Sequence, residues 1–470
     1  MLRALAISAG LAWAVLFIVV ALAFGLQLYA DGSIFSYAVA VQDVWAFHWH
    51  NLSGRLSVFF LTLWPAETFV ALTGSPRGGI AVYGLLFYSA PLAGLIGTYA
   101  ADRSKGRIIF AYACGATALL GPLVFGFPTE MWLAQALFWP ALAAAHCTRR
   151  DAGGIALAFV LLLALVFSHE GALVLAFAIV ATLALRGWRD AAFRRGAGAL
   201  IAAPAIWAAV KAAYPPDAYF ADAYRRAALH FFDLTIFKVN VVLVLLATVA
   251  GYALAWLALV RAVPGKAHLY AAVIVAVALG VYWLAFDHAL HASNRYYLRT
   301  ALVVATPALG MLAALYALRA EGRLNLPIAG VERAMTALTC GIATRALAGL
   351  FVLVTLVHAV ETGKFVAAWN QYKAAVRALA TGATSDPALG DPRFVSSQRI
   401  GADLNRLSWF STTQYLGAVL ANFAPARLVI DPTGNYFWLT CETATANARA
   451  QRAVPADVRE LVRVHACQHR

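Results

Sequence analysis

The sequence predicts an all-α polytopic membrane protein with about 11 transmembrane helices. Three observations carry that prediction. First, 62% of the 470 residues are apolar, 12% are charged and the mean hydropathy is +0.74, a composition foreign to a water-soluble globule. Second, the arginines and lysines sit in short clusters between apolar stretches. Third, those clusters fall on alternate loops, as fixed orientation in a bilayer requires. The net charge of +14 is therefore a topology signal, and a nucleic-acid role is excluded.

Each span needs roughly 20 apolar residues to cross about 30 Å of hydrocarbon. The first run, after Met1-Leu2-Arg3, covers 4–27; it is too long for a signal-peptide core and reads as an uncleaved span. Further spans follow at 80–100, 108–126, 131–147, 155–167, 171–186, 197–213, 237–260, 268–286, 300–318 and 346–361. With Arg3 inside, the inner loops carry Arg103, Lys105 and Arg107; Arg149 and Arg150; Arg186, Arg189, Arg194 and Arg195; Arg261 and Lys266; and Arg319, Arg323, Arg333 and Arg345. That pattern places the N-terminus in the cytoplasm and the C-terminus outside, in a bacterial inner membrane.

Two segments need separate treatment. Residues 56–73 are apolar but short and are interrupted by Pro65 and Glu67; a crossing there would invert every later loop. They read as a helix at the outer interface, anchored by Trp64. The first outer loop, 28–79, then holds two juxtamembrane helices, roughly 33–48 and 56–73. The runs 155–167 and 171–186 are each too short to span comfortably and are parted by Ser168-His169-Glu170-Gly171, which reads as a hairpin with a recessed polar tip. A single long tilted helix is the alternative, and it would put an ionisable pair at mid-membrane.

From Glu361 onward the composition changes. Asp386-Pro387, Gly390-Asp391-Pro392, Pro425, Asp431-Pro432-Thr433-Gly434 and Pro455 punctuate a small soluble domain. The chain thus divides into a transmembrane domain, 1–361, and an expected C-terminal periplasmic domain, 362–470. Of five cysteines, Cys441 and Cys467 fall in this tail, where an oxidising compartment sustains a disulfide between them.

Polar clusters that loop length does not explain all lie on the outer face. They are Asp31, Asp43, His48, His50, Asn51, Gly54 and Arg55; Pro128-Thr129-Glu130-Met131-Trp132; His169-Glu170; and the stretch from Asp287 to Arg299, which includes His288, His291, Arg295, Tyr296 and Tyr297. Trp45, Trp64 and Trp132 read as interface anchors before substrate platforms. An outward cavity lined by carboxylates, histidines and arginines suits transfer from a membrane-borne phosphate donor to a hydroxyl: a carboxylate takes the proton and cations stabilise the departing phosphate.

This layout resembles the GT-C superfamily of polyprenyl-phosphate-sugar-dependent glycosyltransferases. The resemblance rests on a first span followed by an acidic residue, a long outer loop with two juxtamembrane helices, the number of spans and the C-terminal domain. Locally, Trp49-His50-Asn51-Leu52-Ser53-Gly54-Arg55 is similar to a Trp and Asn-Gly-Arg element of some GT-C-like proteins, and Glu130-Met131-Trp132 to an acidic and Trp turn in them. The resemblance implies that Asp31 or Asp43 is the catalytic base; Glu170, from the cluster at the hairpin tip, is a further candidate catalytic carboxylate. It implies that Arg55, Arg295 and Arg299, supported by His169 and His288, meet the donor phosphate. His50, Asn51, Glu130, Trp132, His291, Tyr296 and Tyr297 would line the substrate. The family often has two acidic residues close together after the first span; here Asp31 stands alone before Gly32-Ser33, which leaves the base open between Asp31 and Asp43.

The expected activity is inverting transfer of a sugar from a polyprenyl-phosphate donor to a hydroxyl of a glycan, lipid or protein acceptor at the periplasmic face. An O-antigen ligase or polymerase-like enzyme is the alternative, and a transporter or assembly scaffold comes third, because no pair of related halves is visible. No metal is demanded, although Asp31 or Asp43 with Glu170 would offer oxygens to magnesium or manganese.

Overall fold

The computed structural model describes residues 1–42, 53–147, 152–216, 221–222, 225, 240–287, 299–324, 341–382, 386, 389, 392–409, 412–431, 460–461, 463 and 467. Its long helices are α1 (Leu2–Phe24), α2 (Asp31–Ala40), α3 (Trp64–Thr73), α4 (Pro76–Ala101), α5 (Ile108–Val124), α6 (Met131–Cys147), α7 (Ala152–Val166), α8 (Ala172–Ala184), α9 (Ala191–Ala213), α10 (Asn240–Leu259), α11 (Ala267–Tyr282), α12 (Arg299–Ala320), α13 (Gly341–Thr381) and α14 (Thr413–Leu420). Their ends follow local chemistry. Gly25 closes α1 in the left-handed conformation at φ 64°, returning its N–H to the Ala21 carbonyl. Ser75 accepts from the Gly78 N–H to open α4, with Pro76 at its first position.

Among the described residues, seven helical stretches are long and apolar enough to cross a membrane: Leu2–Phe24, Ser53–Thr73, Pro76–Ala101, Ala191–Ala213, Ala267–Ala285, Leu302–Ala320 and Ala343–Thr381. Four other helices that the sequence reads as spans are shorter. Helices α5 and α6 run 17 residues, α7 runs 15 and α8 runs 13. At 1.5 Å per residue even the longest of these covers only about 26 Å.

Close helix contacts are made where side chains are small, since association within lipid depends on van der Waals fit. Helices α1 and α5 meet at Gly10, where a Cβ would lie 2.4 Å from the Cys114 carbonyl oxygen. Along α4 and α6 the contacts step in register. The Trp132 indole donates to the Phe87 carbonyl at 3.1 Å; a Cβ at Gly94 would strike the Ala136 carbonyl, and one at Gly97 would touch Pro140. The Cys147 thiol reaches Asp102 at 3.7 Å. The two helices therefore run in the same direction, and the bundle has two distinct ends, one at Glu130 and one at Arg103.

The segment Ser53–Thr73 is helical throughout, with a π-helical turn at Phe59–Leu63. Its length would suffice for a crossing, but it does not traverse the bundle. Ser57 donates its N–H to the Phe167 carbonyl at the Glu130 end, and its last turns pack on the start of α4, where a Cβ at Gly79 would meet Val70 and Ala66. Residues 155–167 and 171–186 form two separate helices, parted at Phe167–Gly171.

One boundary differs from the sequence-based expectation. Helix α13 does not stop near Glu361; it runs on to Thr381, 41 residues and about 62 Å in all. The reason is a buried stripe, Phe365, Trp369, Tyr372, Val376 and Ala380, spaced by three and four residues on one face. The composition changes at Glu361 because the helix becomes amphipathic there without ending. The fold is all-α, with one short strand pair among the described residues. Phe394–Ser396 (β1) pairs in parallel with Leu428–Ile430 (β2), Val395 opposite Val429. These strands and α14 join the bundle core: the Tyr415 ring lies 5.2 Å from that of Tyr37 on α2.

Replacing Gly10 with alanine should lower the thermal midpoint of the detergent-solubilised protein by the equivalent of about 1–3 kcal/mol through overpacking. Gly251→Ala, where no atom lies within 4 Å of the added Cβ, should leave it unchanged or raise it. The pair is read by tryptophan fluorescence melting.

Candidate active site

At the Glu130 end, four segments remote in sequence bring their charged side chains into contact. Arg55 is the centre. Its Nη1 meets Glu130 Oε1 at 2.5 Å, and its Nε and Nη2 donate to Glu170 Oε2 at 3.3 and 3.1 Å. Lys211 Nζ stands 3.5 Å from Glu170 Oε1 and 4.6 Å above the Trp207 ring. The group is largely withdrawn from solvent, with Glu130 4% exposed and Arg55 12%. Among the described residues, the two cations Arg55 and Lys211 contact the two carboxylates Glu130 and Glu170.

Backbone contacts hold Arg55 in place. The Gly54 carbonyl accepts from the Trp207 indole at 3.1 Å, and the Ser53 hydroxyl donates to the Tyr214 carbonyl at 2.9 Å. Gly54 must lack a side chain, because a Cβ would lie 2.9 Å from Trp207 Nε1. Glu170 occupies the tip between α7 and α8, next to His169, whose Nδ1 accepts the Gly171 N–H at 2.9 Å. With that nitrogen an acceptor, the ring carries its proton on Nε2 and is neutral. The start of α12 abuts the same tip: a Cβ at Gly171 would lie 3.4 Å from Val303.

Asp31 lies beside this cluster. It follows Ala30, which adopts φ 49° and ψ −126°, a region that a residue with a Cβ rarely occupies and that costs on the order of 1–3 kcal/mol. The turn is locked by the Gly32 N–H bond to the Tyr29 carbonyl and by the Ser33 hydroxyl bond to the Ala30 carbonyl at 2.8 Å. Gly32 is pressed against Pro128, where a Cβ would lie 2.6 Å from the ring, which joins the Asp31 turn to the Pro128-Thr129-Glu130 turn. Tyr83, fully buried, lies within the electrostatic range of both Asp31 and Glu130. The hydroxyls of Tyr83 and Thr129 have no hydrogen-bond partner among the described residues.

The tail closes over these turns. The Ser33 hydroxyl also reaches the Thr412 carbonyl at 3.2 Å, and Trp409 sets its ring edge-on to Phe127 at 5.6 Å.

The residues expected at the site thus divide. Asp31, Arg55, Glu130, His169 and Glu170 converge, though Arg55 is held by two carboxylates. Trp132 is 1% exposed and packed in the core by Phe17, Tyr88 and Phe125. Asp43, His50, Asn51, His288, His291, Arg295, Tyr296, Tyr297 and Cys441 lie outside the described residues, as does the side chain of Arg299. Cys467 is disulfide-bonded, while Cys114 and Cys147 are free.

Sequence reasoning missed Lys211 and Trp207, which it placed inside a span; a lone lysine closing an apolar helix just before Tyr214-Pro215-Pro216 was the available signal. It also missed the pairing of Glu361, 4% exposed, with Lys364 and the Trp283 indole, both at 3.0 Å. Among the described residues no group of three His, Cys, Asp or Glu could hold a metal ion. Both Glu170 oxygens face Arg55 or Lys211, a donor set that does not fit a divalent cation.

No protein-family model, curated protein or solved structure matches the chain. Its site must be read from its own chemistry.

Removing Arg55 leaves Glu130 and Glu170 buried without their guanidinium. Arg55→Met should destabilise the protein by about 3–5 kcal/mol, and adding Glu130→Gln should restore part of the loss. Thermal melts of the single and double variants in one detergent would show this; additive losses would mean that Arg55 and Glu130 do not depend on each other.

Proposed function

We propose that this chain is an inverting glycosyltransferase of a bacterial inner membrane, taking a sugar from a polyprenyl-phosphate donor at the periplasmic face. The observation that carries the reading is the convergence of three carboxylates, Asp31, Glu130 and Glu170, with Arg55 and Lys211 at the bundle end opposite Arg103. Such a group is costly in an apolar bundle and is the kind of feature that marks a site.

Roles follow from the contacts. Arg55 and Lys211 hold Glu130 and Glu170, which fixes the cations in place. Asp31, on its strained turn, serves as the base. The acceptor hydroxyl attacks the anomeric carbon as its proton passes to Asp31; the bond from that carbon to the phosphate oxygen breaks, and polyprenyl phosphate leaves with the electron pair. Arg55 and Lys211 receive the leaving phosphate when Glu170 yields part of its contact. Trp409 and Thr412 of the tail, set against Phe127 and Ser33, border the path of the acceptor.

The orientation belongs to the same proposal. With the basic end cytoplasmic, the N-terminus is inside and the tail outside. A reporter that works only in the periplasm should be active when fused after residue 382 and inactive at 104 or 190; the reverse pattern would put the site on the wrong face.

The activity is tested with the full chain in proteoliposomes, supplied with a panel of undecaprenyl-phosphate pentoses and hexoses, by following free undecaprenyl phosphate by mass spectrometry. Asp31→Asn should lower turnover by about 100-fold or more with donor retention unchanged. Full activity in Asp31→Asn, or no donor consumed by the unaltered protein, would defeat the reading. Loss of activity in His169→Gln and Lys211→Gln with Asp31→Asn unaffected would favour the ligase type, in which cations and histidine act without a carboxylate base.

A further inference from the structure

The opposite end of the bundle holds a cavity of about 880 Å³ that the proposed reaction does not use. Its wall is apolar, built from Ala141 and Ala145 of α6, Ile155, Phe159 and Leu162 of α7, and the small residues Gly198, Ala199 and Ala202 of α9. The stretch from Ile155 to Leu162 alone lines about 10 Å of its depth. Its mouth is cationic. Arg103 and Lys105 come from the α4–α5 connection, Arg186 from the end of α8, Arg195 from α9 and Arg323 from the residues after α12. Two of these cations are offset: Arg186 lies 3.6 Å from Asp190, and Arg323 donates to Glu321 at 3.1 Å. Arg103, Lys105 and Arg195 have no carboxylate partner among the described residues, so the mouth keeps a net positive charge.

A second observation points to a ligand. His146 is 6% exposed and lines the cavity. Its Nε2 lies 2.7 Å from the Thr182 hydroxyl, which itself donates to the Ile179 carbonyl at 2.6 Å. Thr182 therefore accepts from Nε2–H, and Nδ1 is left as an acceptor. That Nδ1 is buried and has no hydrogen-bond partner among the described residues, a state that calls for a donor.

An apolar groove, an anion-seeking rim and a buried acceptor seeking a hydroxyl describe one kind of molecule. We infer that this cavity binds a single anionic membrane phospholipid whose headgroup carries hydroxyls, of the phosphatidylglycerol type. The phosphate lies among Arg103, Lys105 and Arg195, a headgroup hydroxyl donates to His146 Nδ1, and an acyl chain runs along α7 and α9. A zwitterionic lipid would bring its own cation to a mouth already positive, and a free phosphate would leave the apolar wall uncovered.

The site is tested on the full chain, stripped of lipid in detergent and titrated with dioleoyl phosphatidylglycerol, dioleoyl phosphatidylcholine or inorganic phosphate under native mass spectrometry. One copy of phosphatidylglycerol should bind at least ten-fold more tightly than phosphatidylcholine. Two variants separate groove from rim: Gly198→Phe fills the open space above Gly198, where no atom lies within 4 Å, and the triple change Arg103→Gln, Lys105→Gln, Arg195→Gln removes the uncompensated charge. Each should weaken phosphatidylglycerol binding about ten-fold, with helix content by circular dichroism unchanged in Gly198→Phe. Equal affinity for phosphatidylcholine, phosphatidylglycerol binding that survives Gly198→Phe, or displacement of the lipid by millimolar phosphate would each overturn the assignment.

Discussion

The contact on which the arrangement of this end depends is the Arg55 guanidinium between Glu130 and Glu170. In water such a pairing contributes little, but in the interior of a helical bundle each charge taken alone would cost several kcal/mol. The three side chains therefore have to arrive together. Their demand ties the segment before α3, the turn before α6 and the tip between α7 and α8 into one geometry, and Lys211 adds the end of α9. Apolar contacts between lipid-facing helices slide easily; a three-way charge contact does not, which gives this end of the bundle its register.

The two ends of the bundle differ in chemistry in a way that the helices alone do not dictate. Helix α6 joins them, with Glu130 just before its first residue and His146 near its last, about 25 Å of helix apart. On one side carboxylates and cations are paired with one another, and the tail packs over the neighbouring turns. On the other, cations outnumber carboxylates and surround an open apolar cavity. Matched charge suits a place where bonds are to be rearranged in a defined field; unmatched charge suits a place that recruits an anion from outside.

Much of this was legible in the sequence, for a physical reason. Ionisable residues in apolar stretches are rare, so Asp31, Arg55, Glu130 and His169-Glu170 stood out singly, and the basic loops set them at the bundle end away from Arg103. Their partners did not stand out. Lys211 closes an apolar helix where an interfacial lysine is ordinary, and only the fold brings it to Glu170. Trp132 looked like an anchor because tryptophans gather at interfaces, yet Phe17, Tyr88 and Phe125 enclose it. The continuation of α13 was hidden because a change from uniformly apolar to one-sided composition looks like an exit from the membrane into a new domain, whereas the stripe from Phe365 to Ala380 has the period of a helix that is buried on one face.

That unbroken α13 makes the tail hard to regard as an appendage. The Trp369 indole donates to the Phe24 carbonyl at 3.1 Å at the end of α1, and further along the same rod Arg377 donates to the Leu420 carbonyl at 3.0 Å at the end of α14. A stiff helix clamped at both points acts as a lever: force on the tail is delivered to α1 as torque, with no hinge between to dissipate it. The Asp31 turn lies directly after α1 and under Thr412, so it is gripped from both arms of that lever. Along α13 there is accordingly no natural cutting point, and evolution or engineering by exchange of C-terminal modules would have to carry α2 and the end of α1 along with the piece exchanged.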